Sequence, residues 1–581
     1  MLVRPRPRRG GRDKLALFLF LLLKNTILAS PRTVWYMASL GSAFPRQVAQ
    51  KCAIINEEME TKISLLEQMI KVIPLSEGKP LKVLMVLPEV SPYASVGGVS
   101  RVGAYLAREL VKLGHDVRLF MPRYGMIDEE KFPLEMVVEG LKVYTDGDGG
   151  PTELICNVKT YQTEDGVRTY FLENMEYYEK RANVYGYSDD PIRFSLLSRG
   201  ALEFLRHFEW KPQVIHAHDW QTGAAPNYLK TVYAKSRDLG GIATLFTIHN
   251  LHFQGMFDHR QITELDFDDG RSPIAPFFSE RLKKQNFMRR GILYADAINT
   301  VSETYAREII TPEYGEGLDK LLMEVRSKLF GVVNGIDYEE FNPATDSLIP
   351  VNYASSSIGR RLENKIALQR EFSLPEDKEK FVLGMVTRLA DQKGIDILLE
   401  ALSHFLSGFD AQFIVIGGGE GRYVAAFQEL QKRFPKKVGT HLMLNYTLPR
   451  LVFAGADCIV VPSRFEPSGL VQLEAMRYGC VPIVRKTGGL ADTVEDLDAV
   501  KEKGTGFVFA EYDRWALFAQ LVRAYEDFHH PKVWQELVKR AMAADFSWGA
   551  SARRYGQLYR KAIYFKRQEL LSPKSPVPLD E

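Results

Sequence analysis

Two series of apolar strands that alternate with glycine turns and helices constrain the fold of this chain more than any other feature. In the first series, residues 83–87 form an apolar run that is followed by a turn at Gly97 and Gly98. Residues 100–113 then have the periodicity of an amphipathic helix, and residues 116–121 form the next apolar run. Continuous apolar strands separated by helices are typical of parallel sheets that are covered on both faces, so a βαβ unit is predicted here.

The second series begins after residue 380 and has the same order of elements. It predicts strands at 382–386, 413–416 and 458–461, with a helix at 394–406 after the first of them. A chain of 581 residues is too long for one core. We therefore predict an α/β protein with two doubly wound domains joined near residues 340–375, and a ligand in the crevice outside the carboxyl ends of the strands.

Charge and cysteine content exclude some classes of partner. The chain has 75 basic and 73 acidic residues, a formal net charge of +2, so it has no broad positive field for nucleic acid. The four cysteines (Cys52, Cys156, Cys458 and Cys480) are scattered and form no CxxC pair, which predicts a reduced interior and no structural metal.

The first 80 residues differ in composition from the rest. Several arginines precede an apolar run at 15–23, which is far shorter than the ~20 residues that cross a bilayer, so no integral membrane span is expected. The pattern imitates a secretory signal, but it also fits a membrane-surface anchor, a flexible tail or an upstream translated segment, because Met37 and Met59 are possible later starts. Helical periodicity predicts a single helix within residues 54–73.

Two carboxylates and a glycine turn suggest a ligand site in the second series. Glu466 and Glu474 are eight positions apart, and Thr487, Gly488 and Gly489 follow an apolar strand and precede a helix. Such a turn can direct backbone N–H groups and the positive end of a helix into the crevice. Carboxylates for hydroxyl groups and amides for a diphosphate are what binding of a sugar nucleotide requires, although a purely structural turn fits equally well.

Arg388 and Lys393 follow a strand, five positions apart. At a strand's carboxyl end, two cations can neutralise a departing diphosphate without metal, whereas elsewhere such residues are usually solvated. The turn at Gly97 and Gly98 is compatible with a phosphate or sugar site and with an ordinary tight turn.

Six of the eleven histidines lie between His207 and His259. Apolar strands precede His216 and His249, so we expect the histidines at strand ends, facing the crevice. Hydrogen bonding to a polyhydroxylated ligand is favoured over metal binding, and a buried, hydrogen-bonded histidine is the alternative for His216 and His207.

Beyond these features, the chain resembles the bacterial and plant glycogen and starch synthases, which are retaining glycosyltransferases of family 5 with the GT-B fold. The resemblance runs from about residue 82 to about residue 562. Its specific segments are residues 88–92 with Gly97 and Gly98, then 216–220, 247–254, 294–296, 300–302, 333–337, 462–469, 485–493 and 545–548. The resemblance implies that residues 1–80 would be an extension, 81–340 the acceptor-side domain, 341–545 the nucleotide-sugar domain, and 546–581 a C-terminal helix and tail.

The resemblance implies transfer of glucose from ADP-glucose to the non-reducing end of an α-1,4-glucan, with retention of configuration and without a cofactor. Arg388 and Lys393 would hold the diphosphate, and Glu466 would contact the hydroxyl groups of the donor sugar. His249 would lie near the glucose 6-hydroxyl, with Asp219 nearby. The other implied substrate-binding residues are Gly97, Gly98, Asn250, Tyr446, Glu474, Thr487, Gly488 and Gly489.

Several positions depart from the family pattern, among them Ser95, Arg101, Arg289 and Glu474. Ser95 stands where a lysine is usual, and Arg101 stands where an acidic residue is common, so Arg101 is a candidate for returning positive charge to the cleft. Glu474 is absent from typical bacterial glycogen synthases, whereas a broader retaining group uses such a second glutamate for the ribose. UDP-glucose therefore stays open as donor, as do a related GT-B enzyme and a non-catalytic glucan-binding homologue. A cytoplasmic location is expected, because nucleotide sugars are made there.

Overall fold

The computed structural model describes residues 79–257 and 268–572. The extension at 1–78 and the helix predicted within 54–73 lie outside these residues. Residues Leu75–Phe565 form one compact unit that contains both lobes described below. The other unit comprises Met1–Pro74 and Lys566–Glu581, and its described residues, 566–572, continue the last helix and end it.

The first lobe is built on a nine-stranded sheet with the order β3-β4-β5-β2-β1-β6-β7-β8-β9. Its strands are β1 (Lys82–Val86), β2 (Asp116–Pro122), β3 (Glu135–Tyr144), β4 (Glu153–Gln162), β5 (Arg168–Glu173), β6 (Val214–His218), β7 (Ala243–Ile248), β8 (Ala297–Thr300) and β9 (Leu329–Gly331). Strands β1 and β6 to β9 pair in parallel with their neighbours, whereas β3 and β4 add an antiparallel edge beyond β5.

The second lobe is built on a six-stranded sheet, β12-β11-β10-β13-β14-β15, in which every pairing is parallel. Its strands are β10 (Phe381–Val386), β11 (Ala411–Ile416), β12 (Val438–His441), β13 (Cys458–Val461), β14 (Val481–Arg485) and β15 (Phe507–Phe509). Their apolar side chains are almost completely buried, as expected for a sheet covered on both faces.

Helices connect these strands. In chain order they are α1 (Gly98–Lys112), α2 (Asp190–His207), α3 (Ala224–Lys230), α4 (Glu280–Lys283), α5 (Phe287–Tyr294), α6 (Glu303–Glu308), α7 (Asp319–Glu324), α8 (Arg361–Glu371), α9 (Ile395–Gly408), α10 (Gly421–Arg433), α11 (Leu448–Gly455), α12 (Val471–Arg477), α13 (Gly488–Thr493), α14 (Arg514–Phe528), α15 (Pro531–Ala543) and α16 (Trp548–Leu571). Among the described residues, none of these helices is long and apolar enough to cross a membrane.

The prediction of two doubly wound α/β domains is confirmed. The sequence did not predict the antiparallel strands β3 and β4. It also placed the start of α1 two residues late, because the helix begins at Gly98, directly after the extended residue Gly97. Helix α13 likewise begins at Gly488, two residues before the predicted start.

The last helix returns to the first lobe. The backbone N–H of Ile336 donates to the carbonyl of Phe546 at 2.9 Å, where the chain crosses between the lobes. Beyond this crossing, the Tyr559 hydroxyl shares a 3.0 Å hydrogen bond with His216 Nδ1, and Asn299 donates to the Tyr555 hydroxyl at 2.9 Å. Helix α16 therefore completes the polar interior of the first lobe.

Candidate active site

The second lobe contributes a charged pocket at the carboxyl ends of β10 and β13. Lys393 and Glu466 both line it, and Lys393 Nζ lies 2.6 Å from Glu466 Oε2. The Ser463 hydroxyl donates to the same oxygen at 2.9 Å. Glu466 is only 7% exposed, so few water molecules can reach its carboxylate. Its two partners, Lys393 and Ser463, hold the carboxylate in one position, which is the preorganisation that electrostatic catalysis requires.

Arg388 lies in the loop between β10 and α9, with its side chain exposed. Within the described residues it forms no hydrogen bond or ion pair. The neighbouring backbone is closely packed, because a Cβ on Gly417 would lie 1.7 Å from the carbonyl oxygen of Thr387. The loop is therefore held firmly while the guanidinium group remains available to a ligand.

The turn at Thr487, Gly488 and Gly489 differs from expectation in one respect. Its backbone amides are not open to the crevice, because Gly488 N–H donates to the Glu308 carboxylate at 3.1 Å and Gly489 N–H donates to the Glu466 carbonyl at 3.0 Å. The Thr487 hydroxyl also donates to Glu308, at 3.0 Å. The sequence pattern showed a turn but could not show that the protein itself satisfies these donors. Direct substrate contact by the three residues stays a prediction.

In the first lobe, two histidines and an aspartate gather at the ends of β6 and β7. His218 Nδ1 and His249 Nε2 share a 3.0 Å hydrogen bond, and the His249 backbone N–H donates to Asp219 Oδ1 at 2.7 Å. Asp219 has a positive φ of 56°, an uncommon conformation for a residue other than glycine. Backbone strain of this kind is frequently found at functional sites.

Burial keeps the two imidazoles neutral. It lowers the pKa of His249 to about 3, and it lowers the pKa of His218 well below the ordinary value, helped by the neighbouring rings of His216 and His249. His216 lies within β6 and bonds to Thr247 and Tyr559, so the alternative of a buried, satisfied histidine applies to it. For His207 that alternative is wrong, because this residue is exposed at the end of α2.

We expect Asp219 to make stability pH-dependent. Burial raises the pKa of its carboxyl from 3.8 to about 7. Because the folded state then binds the proton more tightly, the carboxyl favours folding below about pH 4, and this contribution is lost as the pH rises through about 7. Relative to the parent protein, Asp219→Asn should gain about 2.5 kcal/mol between pH 5 and pH 8, measured by denaturant unfolding. A stability difference that is the same at both pH values would contradict this assignment.

Glu89 is a residue of the site that the sequence did not single out. It is 1% exposed, and its carboxylate accepts hydrogen bonds from the backbone N–H groups of Val96 and Gly97. An acid just after the first apolar run was visible in the sequence, but its burial and its hydrogen-bond partners were not. Gly97 is thereby engaged within the protein, whereas Gly98 faces open space at the start of α1, and no side chain caps that helix.

Two of the departures from the family pattern meet in space. Arg101 in α1 lies 3.8 Å from Glu474 in α12, so this ion pair joins the two lobes. Burial raises the pKa of Glu474 to about 7, while the positive charges of Arg101 and Arg450 oppose the shift and Glu340 adds to it. The positive charge of Arg101 thus stabilises the ionised form of Glu474. Ser95, another departure, shares a 2.8 Å hydrogen bond with Ser100.

The other two predicted residues lie in loops. The Asn250 side chain accepts a hydrogen bond from the His252 backbone N–H at 3.1 Å. Tyr446 is 75% exposed in the loop between β12 and α11. Among the described residues, no group of three or more histidine, cysteine or acidic side chains is arranged to hold a metal ion.

The two halves of the site face each other. The ring of His252, in the loop that begins with His249, lies 6.5 Å from the ring of Phe465, next to Glu466. One side of this region offers cations and a carboxylate, and the other offers neutral imidazoles. This arrangement suits a ligand that has both a polyanionic leaving group and many hydroxyl groups.

Comparisons with known proteins agree with this geometry. The family described as "Starch synthase catalytic domain" matches residues 82–324, and "Glycosyl transferases group 1" matches residues 368–540. A glycogen synthase of Moorella thermoacetica is 40% identical over 84% of this chain and 98% of its own length. Glycogen synthase 1 of Synechocystis is 41% identical over 84% of this chain and 97% of its own length.

A solved structure is also similar. The catalytic domain of starch synthase IV from Arabidopsis thaliana, bound to ADP and acarbose, superposes with a TM-score of 0.72 at 31% identity. The similarity covers 84% of this chain and 100% of that domain.

Proposed function

Because the chain belongs to the glycogen and starch synthase family and is a glucan synthase with the GT-B fold, we propose that its donor is ADP-glucose. The glucose is transferred to the non-reducing end of an α-1,4-glucan, with its anomeric configuration retained. The enzyme is a glucosyltransferase.

The observation that carries the proposal is the pair formed by Lys393 and Glu466 in the pocket at the strand ends. A donor diphosphate placed there meets the ammonium group of Lys393 and the available guanidinium group of Arg388. The Glu466 carboxylate then accepts hydrogen bonds from the hydroxyl groups of the glucose. One pocket thus binds both the leaving group and the transferred sugar.

The reaction needs no covalent nucleophile from the protein. As the bond from the glucose C1 to the diphosphate breaks, a phosphate oxygen accepts the proton of the incoming acceptor hydroxyl on the same face. Arg388 and Lys393 stabilise the negative charge that develops on the diphosphate. The remaining contribution of the protein is to orient donor and acceptor.

His249 acts in this scheme as a neutral hydrogen-bonding group. An imidazole whose pKa is about 3 stays uncharged near neutral pH, so it does not repel the positive charge that develops on the glucose ring. Its hydrogen bond to His218 and the bond from its own backbone to Asp219 fix the position of His249, which we expect to lie beside the glucose 6-hydroxyl.

ADP is favoured over UDP because starch synthase IV, which resembles this chain over its whole catalytic domain, was solved with ADP and acarbose. We further propose that Glu474, on α12, contacts the ribose of the donor. The proposed donor also leads us to propose a cytoplasmic location, where nucleotide sugars are made.

One assay tests the proposal. Purified protein is incubated with ADP-glucose or UDP-glucose, with and without a maltooligosaccharide, while released nucleotide and chain length are followed. We expect ADP release that depends on the acceptor, together with α-linked extension. Faster transfer from UDP-glucose would overturn the donor assignment, and nucleotide release without extension would indicate a different acceptor.

Arg101 provides a further prediction. In Arg101→Ala the loss of positive charge should raise the pKa of Glu474 above its value of about 7, so less of the carboxylate is ionised at neutral pH. The KM for ADP-glucose should rise about two- to fivefold at pH 6.5 and less at pH 8.5, because weaker binding follows protonation. Arg101→Lys keeps the charge and serves as control. An unchanged KM and turnover at both pH values would remove Arg101 from the site.

A further inference from the structure

Two short helices, α6 of the first lobe and α13 of the second, are linked by two carboxylates. Each helix provides one carboxylate that accepts hydrogen bonds at the start of the other helix. In one direction, Asp492 of α13 accepts hydrogen bonds from the Thr304 backbone N–H at 2.9 Å and from the Ser302 hydroxyl at 2.8 Å. The Thr304 hydroxyl donates to it as well, at 2.5 Å. Asp492 therefore satisfies donors at the start of α6, which belongs to the first lobe.

In the other direction, Glu308 at the end of α6 reaches the start of α13. It accepts hydrogen bonds from the Thr487 hydroxyl at 3.0 Å and from the Gly488 backbone N–H at 3.1 Å. Residue Thr487 provides no side-chain cap for α13, so the carboxylate of the first lobe serves that purpose. Charge-assisted bonds of this kind are stronger than neutral ones.

The turn that Glu308 holds is locked against the loop that carries Glu466. Gly489 N–H donates to the Glu466 carbonyl at 3.0 Å. A Cβ on Gly488 would lie 2.0 Å from that carbonyl oxygen, and a Cβ on Gly489 would lie 1.9 Å from the carbonyl oxygen of Ser468. The two backbones touch, so the turn cannot shift without moving Glu466.

We propose that Glu308 is a positioning residue for the donor site. Its carboxylate, supplied by the first lobe, holds the Thr487–Gly488 turn and thereby fixes the backbone of Glu466 beside Lys393. The inference rests on the proposed function, because it assumes that Glu466 contacts the donor sugar. Glu308 itself touches neither donor nor acceptor in this account. Its effect appears only when the two lobes are in contact, which couples their docking to the geometry of the donor pocket.

Four variants of the full chain test this role, once the parent protein has been shown to transfer glucose. Glu308→Ala removes the carboxylate, and Glu308→Gln keeps one acceptor oxygen. Asp492→Ala removes the hydrogen bonds from Ser302 and Thr304 but leaves Glu308 in contact with the Thr487–Gly488 turn. Glu303→Ala is the matched control, because this acid lies on the same helix but pairs with Arg554 at the surface. The measurements are kcat, the KM for ADP-glucose, ADP affinity by calorimetry and the melting temperature.

We expect Glu308→Ala to lower kcat/KM for the donor about 10- to 100-fold, with Glu308→Gln intermediate and Glu303→Ala unchanged. Asp492→Ala should lower the melting temperature at least as much as Glu308→Ala does, but should change kcat/KM less than about threefold. The proposal is overturned if the activity losses of the two alanine variants follow their losses of thermal stability, since both acids would then only hold the lobes together. It is also overturned if Glu308→Ala binds ADP more tightly, because Glu308 would then compete with the donor. Failure of the parent protein to transfer glucose would refute the proposed function instead.

Discussion

Glu466→Ala is expected to lower kcat about 100- to 1,000-fold, since it removes a preorganised group from the site where charge develops. Stability should change much less. The carboxylate lies at the pocket wall, and its partner Lys393 retains 17% exposure of its side chain, so water can solvate the ammonium group once the pair is broken. Initial rates at saturating ADP-glucose and a thermal melt of the same preparation measure both effects.

Glu466→Gln is the matched control for shape. It keeps the size of the side chain and one acceptor oxygen but loses the charge that faces Lys393. We expect an activity between those of the parent protein and the alanine variant. If Glu466→Ala instead melted many degrees earlier and lost activity only in proportion, the carboxylate would be a structural residue.

Arg388→Ala is expected to lower kcat/KM for the donor about 100-fold and to leave the melting temperature unchanged. The structure makes this an unusually clean test, because the side chain is exposed and forms no hydrogen bond or ion pair within the described residues. Its removal therefore breaks no internal contact. Any loss of activity then reflects the missing positive charge at the diphosphate.

Arg370→Ala provides the control for a lost surface charge. Arg370 is also an exposed arginine of the second lobe, but it lies on α8 and pairs with Glu376 at 2.9 Å. Its replacement should leave kcat/KM and the melting temperature nearly unchanged. Equal effects of the two substitutions would show that net charge, and not the position of Arg388, governs activity.

Local sequence patterns predicted most of the fold. The apolar runs before Gly97 and Gly417 correspond to β1 and β11, because continuous burial on both faces leaves a clear signal in the chain. Arg388 and Lys393, which follow β10, could be placed at one edge of the sheet because parallel strands end together. Strands β3 and β4 were missed because an edge hairpin has one exposed face and a weaker apolar signal.

Contacts between distant segments could not be predicted. Glu308 and Thr487 are 179 positions apart, so nothing near either residue indicates that they meet. Arg101 and Glu474 were both visible as departures from the family pattern, yet only the packing of the lobes shows that they form one ion pair. The sequence also suggested that the amides of the Thr487–Gly489 turn could bind a ligand, because it does not show which distant residues accept their hydrogen bonds. Their acceptors lie in a distant helix and in a neighbouring loop.

The hydroxyl groups of Tyr555 and Tyr559 in the interior of the first lobe have a consequence for how the protein is made. Tyr559 lies 343 positions after His216, its hydrogen-bond partner. At a ribosomal rate of ~5–20 residues per second, Tyr559 is synthesised roughly 20 to 70 s after His216. During translation the first lobe therefore lacks the tyrosine hydroxyl groups that pair with His216 and Asn299. A premature stop codon shortly before α16 would leave these two side chains permanently without those partners.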